Sequence, residues 1–320
     1  MNSRAVNTLI ILGGNPVYDS PADIHFADAM KNVENSIHLS LYPDETSKET
    51  TWHIPQAHYL ESWGDCRAVD GTLSITQPLI DPLFGGKSML EFLNLIVTGE
   101  DKKGGAILKD NWRRIINESG FENRWRRILH DGLYERNDSR PVNSDVSERS
   151  LIRFLQNNRF TKKHANEKNP EITFRACPKV YDGRFANNAW LQELPDPVTK
   201  LAWDNAAMIS PETAKALNLQ NEQVVRLNYN QREIELPVWI IPGMPDFSFC
   251  LTLGYGRSSA GNVGNGVGVN VYRLRTSDNA YFDMGLAIEK SKKKYKLANT
   301  QDHRSMEGRP IVREATYFEY

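Results

Sequence analysis

The clearest pattern in the chain is an unbroken apolar run, Thr8–Leu12, closed by Gly13-Gly14-Asn15-Pro16. A run without alternation predicts a strand buried on both faces of a parallel sheet. Asn15-Pro16 forbids helix at the turn. With Ser20 as cap and Pro21 where a helix can begin, Ala22–Lys31 places Ile24, Phe26, Ala27 and Met30 near helical spacing. Ser36–Leu41 predicts a second strand, so the first forty residues read as a βαβ unit. Its ligand edge lies at the carboxyl ends of the strands, Gly13–Pro16 and Tyr42–Thr46.

From Thr51 to Asp81 the sequence is rich in Trp, His, Pro and Gly and predicts short strands and ordered loops. Ser88–Thr98 has the apolar spacing of an amphipathic helix (Met89, Phe92, Leu93, Ile96). Asp110–Leu129 predicts a helix or helix pair interrupted near Gly120, carrying Trp112-Arg113-Arg114 and Trp125-Arg126-Arg127. Residues 141–170 are polar, an excursion with one helix around Val146–Gln156. The character changes at Pro195-Asp196-Pro197, the expected domain boundary. Ser210–Leu217 predicts a short helix with Ser210 as cap and Pro211 at its first position. Gln223–Tyr229 and Glu233–Ile240 alternate like the arms of a hairpin across Asn230-Gln231. Phe247–Leu253 and Val269–Thr276 predict further strands around Gly254–Gly268, a stretch with six glycines. Short strands with one small helix suggest a closed β-barrel. The lysine-rich Glu289–Lys296 predicts a solvated stretch.

The expected organisation is therefore a Rossmann-like α/β domain with a parallel sheet over 1–195, with a helical and polar insertion at about 100–170. An all-β barrel follows over 196–288, and 289–320 form an arm or linker. The length of 320 residues suits two domains. A net charge of −1 gives no reason to expect nucleic acid. No run of about 18 apolar residues occurs, so nothing is expected to span a membrane. The first residues lack the apolar core of a signal peptide, and strand sequence begins almost at once, as if the chain starts inside a larger protein.

Cys66, Cys177 and Cys250 are odd in number and far apart. Without Cys-x-x-Cys pairs they predict no iron–sulfur cluster and no zinc ribbon in this chain, and read as small buried or half-buried residues. His53 and His58, with Cys66 downstream, fit no zinc spacing, and Pro55 breaks any helical geometry between them; hydrogen-bonded structural roles are expected. There is no Gly-x-Ser-x-Gly, no His-Glu-x-x-His and no nominable Ser/His/Asp triad. No catalytic residue and no metal ligand is assigned.

The Gly13-Gly14 turn lets a backbone approach a phosphate closely, but it is neither Gly-x-Gly-x-x-Gly nor a P-loop. On its own it reads as a plain strand-to-helix turn. In the glycine-rich stretch, Arg257, Ser258, Asn262 and Asn265 suit an anionic or polar ligand. A tightly packed barrel corner is the equal alternative. The Trp-Arg-Arg sites read as an apolar seam or a protein-facing surface rather than base-stacking platforms, and the Trp112 and Trp125 helices are expected to face a partner or a missing part of the polypeptide.

The order of these pieces resembles the molybdopterin oxidoreductases. Leu9–Pro16, Asp44-Glu45-Thr46, and His53-Ile54-Pro55 through Glu61-Ser62-Trp63-Gly64-Asp65 resemble their third domain. Ile209–Leu219, Val224–Ile240 and the glycine-rich turn before Asn270-Val271-Tyr272-Arg273-Leu274 resemble their dinucleotide-binding barrel, which implies a double-psi-type fold. Together they cover about two thirds of the chain. More narrowly, His58–Asp65 and the tail Gln301–Pro310 resemble the B-subunit family of bacterial alternative complex III, a membrane-bound, quinol-oxidising complex of the respiratory chain. The resemblance implies an iron–sulfur, electron-transport oxidoreductase subunit. Its partners would be the other subunits, an N-terminal part, and a ferredoxin-like C-terminal part holding [4Fe-4S] and [3Fe-4S] clusters. It implies a location at the periplasmic face of the inner membrane.

By resemblance, Gly13, Gly14, Asn15, Glu45, Thr46 and Asn270 occupy molybdopterin guanine dinucleotide positions, and Arg257 and Asn265, donors of the glycine-rich stretch, join them as candidate cofactor-binding residues. The metal-ligating residue and cluster cysteines of the family belong ahead of residue 1. The implied reading is a non-catalytic scaffold with a vestigial cradle and no bound cofactor. Two alternatives stay open: the C-terminal half of an active bis-dinucleotide enzyme, and a free-standing dinucleotide-binding protein.

Overall fold

The computed structural model describes residues 1–116, 119–135, 144–157, 164–300 and 315–319. It divides into two compact units, Met1–Pro16 with Ala27–Lys162, and Val17–Phe26 with Lys163–Tyr320. The tail motif at 301–310 lies outside the described residues.

The first unit opens on a parallel sheet of β1 (Thr8–Leu12), β2 (Asn35–Ser40) and β3 (Trp52–Pro55), in that spatial order. Leu12 lies opposite Leu39, and Leu39 opposite Ile54. The central strand carries His38 and Leu39, both fully buried. β1 departs from its expected burial. It is an edge strand, and Ile10 is exposed. An apolar run reports what a strand avoids, and does not say whether the chain itself covers both faces. The helix expected over 22–31 is also broken. After the one-turn helix α1 (Pro16–Asp19), a 3-10 turn over Ala22–Ile24 ends at His25 in a left-handed conformation (φ 50°), and α2 (Phe26–Met30) starts afresh.

Beyond α3 (Glu45–Glu49), an antiparallel sheet of β4 (Gly64–Arg67), β5 (Leu73–Thr76) and β6 (Leu133–Tyr134) packs with helices. α4 (Met89–Thr98) has a capping box: the Glu91 N–H donates to Ser88 Oγ at 3.2 Å, and the Ser88 N–H donates to Glu91 Oε2 at 3.0 Å. α5 (Gly104–Ile116) and α6 (Phe121–Asp131) are separated at Gly120, as expected. Their tryptophans are not at a partner surface. Trp112 is 0% exposed and Trp125 6%, with rings 5.9 Å apart edge to face, and Trp112 Nε1 donates to Asp65 Oδ2 at 2.8 Å. Leu108, Trp112 and Ile116 stand four apart, and Phe121, Trp125 and Ile128 continue the stripe, so each indole sits in the middle of an apolar face. The neighbouring arginines point outward: Arg113 bonds Glu122 at 3.0 Å and covers the Phe121 ring at 4.9 Å. The last helix of the unit, α7 (Glu148–Asn157), has no buried residue.

The second unit contains β7 (Glu171–Arg175), β8 (Leu201–Ala202), β9 (Ala207–Ile209), β10 (Gln223–Tyr229), β11 (Arg232–Ile240), β12 (Ser248–Thr252), β13 (Phe282–Met284), β14 (Ala287–Lys294) and β15 (Ala298–Asn299). Seven form one mixed sheet in the order β13-β7-β12-β9-β11-β10-β14, and β8 pairs with β15. A closed barrel was the expectation. The edge strands β13 and β14 do not pair with each other among the described residues, so the architecture is a mixed sheet without closure. Strand count and length say nothing about how the ends of a sheet meet.

Three further departures have local causes. β7, placed by its sequence ahead of the Pro195 boundary, lies parallel to β12, with Thr173 opposite Cys250. Val269–Thr276 forms a 3-10 turn over Val271–Arg273, because a short apolar run does not distinguish strand from buried turn. The lysine run is an edge strand: β14 lies antiparallel to β10, Ile288 packs on the core, and the lysines stay in water, where they deter further strand pairing. The hairpin follows expectation, with Asn230 (φ 48°) and Gln231 (φ 62°) both left-handed in the two-residue loop.

Candidate functional site

At the carboxyl end of β1 the chain turns through Gly13 (φ 68°) and Gly14 (φ 72°), a pair of conformations that favours glycine. The Gly13 N–H extends the parallel ladder by donating to Leu39 O at 2.8 Å. A Cβ on Gly14 would meet nothing within 4 Å. Underneath, His38 Nε2 lies 3.1 Å from Gly14 O, so this nitrogen carries the proton and donates; Nδ1 lies 3.0 Å from Ser47 Oγ and accepts. Burial pushes the imidazole pKa down, against the pull of Asp44, and keeps His38 neutral.

Asn15, Glu45 and Thr46 interlock. The Thr46 N–H and Oγ1–H donate to Asn15 Oδ1 at 3.1 and 2.7 Å, and Asn15 Nδ2 donates to Glu45 Oε2 at 2.7 Å. The cluster ties the glycine turn to the start of α3, whose cap Asp44 accepts from the Ser47 N–H at 2.9 Å. Thr46 is fully buried, and Asn15 and Glu45 nearly so. Thus five residues from two distant sequence motifs meet at one strand edge.

In the second unit, Arg257, Asn265 and Asn270 are engaged with the protein itself. Arg257 is buried; its guanidinium donates to Gly183 O at 2.6 Å and Ser259 O at 3.1 Å, and lies 4.9 Å over the Tyr18 ring. Asn265 Oδ1 accepts from the Ala260 N–H at 2.6 Å, and Asn270 Oδ1 caps the Tyr272 N–H at 2.9 Å. The glycines between them allow close packing: a Cβ on Gly256 would lie 2.1 Å from Asn270 N, and one on Gly264 2.5 Å from Ala186 O. Of the two readings left open for this stretch, the packed corner accounts for these positions.

Beside the corner, burial and the Asp182 carboxylate push Asp19 up to about 6, while Arg257 and Arg275 act the other way. The folded chain therefore binds this proton more tightly than the unfolded one, and stability falls as pH rises from about 4 to about 6. Asp19→Asn is expected to stabilise the protein by about 1–3 kcal/mol at pH 7 and by little at pH 4, measured by urea unfolding at both. Equal effects at the two pH values would contradict the assignment.

Sequence gives no sign of a further site around Lys179, a buried lysine in an irregular segment. Its Nζ donates to Leu201 O at 3.1 Å and Gln192 O at 3.5 Å beside a cavity of about 20 Å³, room for about one water. Burial lowers its pKa, opposed by Cys177, Asp196 and Asp204. The expected buried character holds for Cys177 and Cys250, whereas Cys66 is exposed; all three are free. His53 Nε2 lies 3.1 Å from Ser40 Oγ, and His58 Nδ1 accepts from the Leu60 N–H, as structural residues do. No cluster of three metal-ligating side chains occurs among the described residues, and no helix there is long and apolar enough to cross a membrane.

No protein-family model matches this chain, and no curated protein does. Among solved structures, acetylene hydratase from Pelobacter acetylenicus matches with a TM-score of 0.60 at 12% identity, over 87% of this chain and 44% of that one. The chain thus spans less than half the length of that enzyme. The likeness is one of fold.

Proposed function

We propose that this chain is a scaffold: the molybdopterin-oxidoreductase-like part of an iron–sulfur subunit in a membrane-bound, quinol-oxidising complex akin to alternative complex III, at the periplasmic face of the inner membrane. Electrons would move through clusters in a ferredoxin-like part and through other subunits. One observation carries the reading. The side chains nominated for the dinucleotide make hydrogen bonds within the protein, in a chain whose fold is similar to that of acetylene hydratase.

The fit of a molybdopterin dinucleotide differs between the units. At Gly13-Gly14 the open backbone leaves room for a phosphate, and the Glu45 carboxylate is an acceptor of the kind a guanine base requires. When bound, the group would supply a metal centre for redox or hydration chemistry; Gly13, Gly14 and Glu45 are the residues here that could hold its nucleotide end. In the second unit the Arg257 guanidinium and the side-chain oxygens of Asn265 and Asn270 already serve backbone groups.

The purified chain is expected to contain neither molybdenum nor iron by elemental analysis, and no pterin fluorescence after oxidative release. Stoichiometric molybdenum would overturn the scaffold reading. The open turn gives the second reading, a nucleotide-binding protein, its one foothold. Calorimetric titration with guanosine diphosphate tests it, and micromolar binding lost in Glu45→Gln would favour it.

A further inference from the structure

We infer that the outer edge of β1 docks an extended, apolar strand of a partner polypeptide, running parallel to β1 and continuing its sheet. The ladder fixes which groups that edge offers. The Asn35 N–H donates to Asn7 O at 3.0 Å and the Gly13 N–H to Leu39 O at 2.8 Å, so the odd-numbered residues turn their backbone groups toward β2. Thr8, Ile10 and Leu12 therefore each present an N–H and a C=O on the opposite side. β1 pairs with β2 alone, and among the described residues no hydrogen bond reaches those outward groups.

Backbone and side chains together name the occupant. Water can satisfy the free N–H and C=O groups, but it does not suit the side chains beside them. Leu9 and Ile11 stand on one face of β1, and Thr8, Ile10 and Leu12 on the other, so both faces are largely apolar. None of the five is buried, whereas β2 buries four of its six residues. Apolar side chains on both faces mark an interior strand of a parallel sheet. A further parallel strand, with its crossover segments over the faces, covers the edge and the side chains at once. Other edges of the molecule are protected. β14 carries its lysines, and beside β3 the Lys87 N–H donates to Pro55 O at 3.0 Å while the Ala57 N–H donates to Lys87 O at 3.0 Å. β1 has no charge, no proline and no bulge to turn a strand away. A second copy of this chain fits less well, because two-fold pairing of β1 with itself is antiparallel and leaves both faces open. A lipid surface offers the free backbone groups no partner. The inference rests on this strand edge and not on the scaffold reading.

The test is amide hydrogen exchange of the full chain, read residue by residue by NMR. The probe is a synthetic peptide of alternating valine and threonine, closed by a lysine at each end. In the free chain Thr8, Ile10 and Leu12 are expected to exchange roughly tenfold or more faster than Leu9 and Ile11, which the ladder protects. Millimolar peptide should slow the three outward amides roughly tenfold and leave Leu9 and Ile11 unchanged. A nitroxide on the peptide's first residue should broaden Thr8 more than Leu12, as parallel pairing requires. Ile10→Pro removes an outward donor and no bond to β2, so the chain should fold and the slowing at Thr8 and Leu12 should vanish. Ile10→Lys, which keeps every backbone group, should weaken it by charge alone. Urea unfolding confirms that the variants fold. Equal protection of all five amides in the free chain, no slowing by peptide, or slowing that persists in both variants overturns the inference. Broadening strongest at Leu12 overturns it as well. A dimer in sedimentation equilibrium that Ile10→Lys dissolves, with no peptide effect, gives the edge to a second copy and overturns it too. None of these results bears on the metal analysis that tests the scaffold reading.

Discussion

Gly256→Ala is expected to cost more than about 4 kcal/mol or to prevent the second unit from folding, while Gly14→Ala costs only about 1–2 kcal/mol. Both glycines are left-handed, at φ 68° and 72°, so the backbone penalty is shared. What separates them is the space a Cβ would enter. On Gly256 it would lie 2.1 Å from Asn270 N, 2.7 Å from Val269 C and 2.8 Å from Asn270 Cα, all backbone atoms that no rotamer change can move aside. Relief requires parting two segments that are held together by the Gly256 N–H to Val267 O bond at 2.7 Å and by Asn205, which accepts from the Val269 N–H at 2.8 Å. On Gly14 the same Cβ meets nothing within 4 Å. Urea unfolding of the two variants measures the contrast. Equal, small losses would mean that the glycine-rich corner is looser than described. The comparison also separates a turn kept open from one closed by packing.

Asn15→Asp is expected to destabilise the first unit by about 2–4 kcal/mol at pH 7, with the loss shrinking as pH falls toward 4. The 2.7 Å bond from Asn15 Nδ2 to Glu45 Oε2 would become a contact between two carboxylate oxygens at a nearly buried site. Two like charges so close cannot both ionise freely, so one folded-state pKa rises above its unfolded value. The folded variant then binds a proton that the unfolded chain releases, and its stability drops as pH rises through that raised pKa. At low pH a shared proton restores a donor between the two oxygens. Denaturant melts of the variant and wild type at pH 4 and pH 7 give the difference directly. A loss that did not change with pH would show that the introduced carboxylate turns away from Glu45. The Thr46 hydrogen bonds survive the substitution, because both donate to an oxygen that aspartate retains.

The first unit was partly readable because its signals are local. Ser88 with Glu91 announces the start of α4, Gly120 separates α5 from α6, and both cap and breaker act within one helical turn. The same helices show where reading failed. Taken as a tripeptide, Trp-Arg-Arg left an apolar seam and a partner surface both open, and the expectation that these helices face a partner was the one that failed. Taken four residues at a time, Leu108–Trp112–Ile116 is a core stripe with arginines on its solvent side. The candidate site was half visible in the same way. Gly13-Gly14 declares a turn by itself, but its bond to His38 through Gly14 O depends on which strand lies next to β1.

What the amino-acid order determined by itself was therefore the set of short-range structures: strand β1 and its glycine turn, α4 and the capped helix over Pro211–Ala216, and the Asn230-Gln231 hairpin. Each depends on propensities and hydrogen bonds spanning a few residues. Only the tertiary structure decided that Asn15 meets Glu45 and Thr46 thirty residues on, that Val17–Phe26 belongs with the second unit, and that a lysine run is an edge strand. It also decided that the seven-stranded sheet keeps two open edges among the described residues and that Arg257 serves backbone carbonyls. Those outcomes depend on which distant segments compete best for the same buried surface and the same hydrogen-bond partners. No local pattern records that competition.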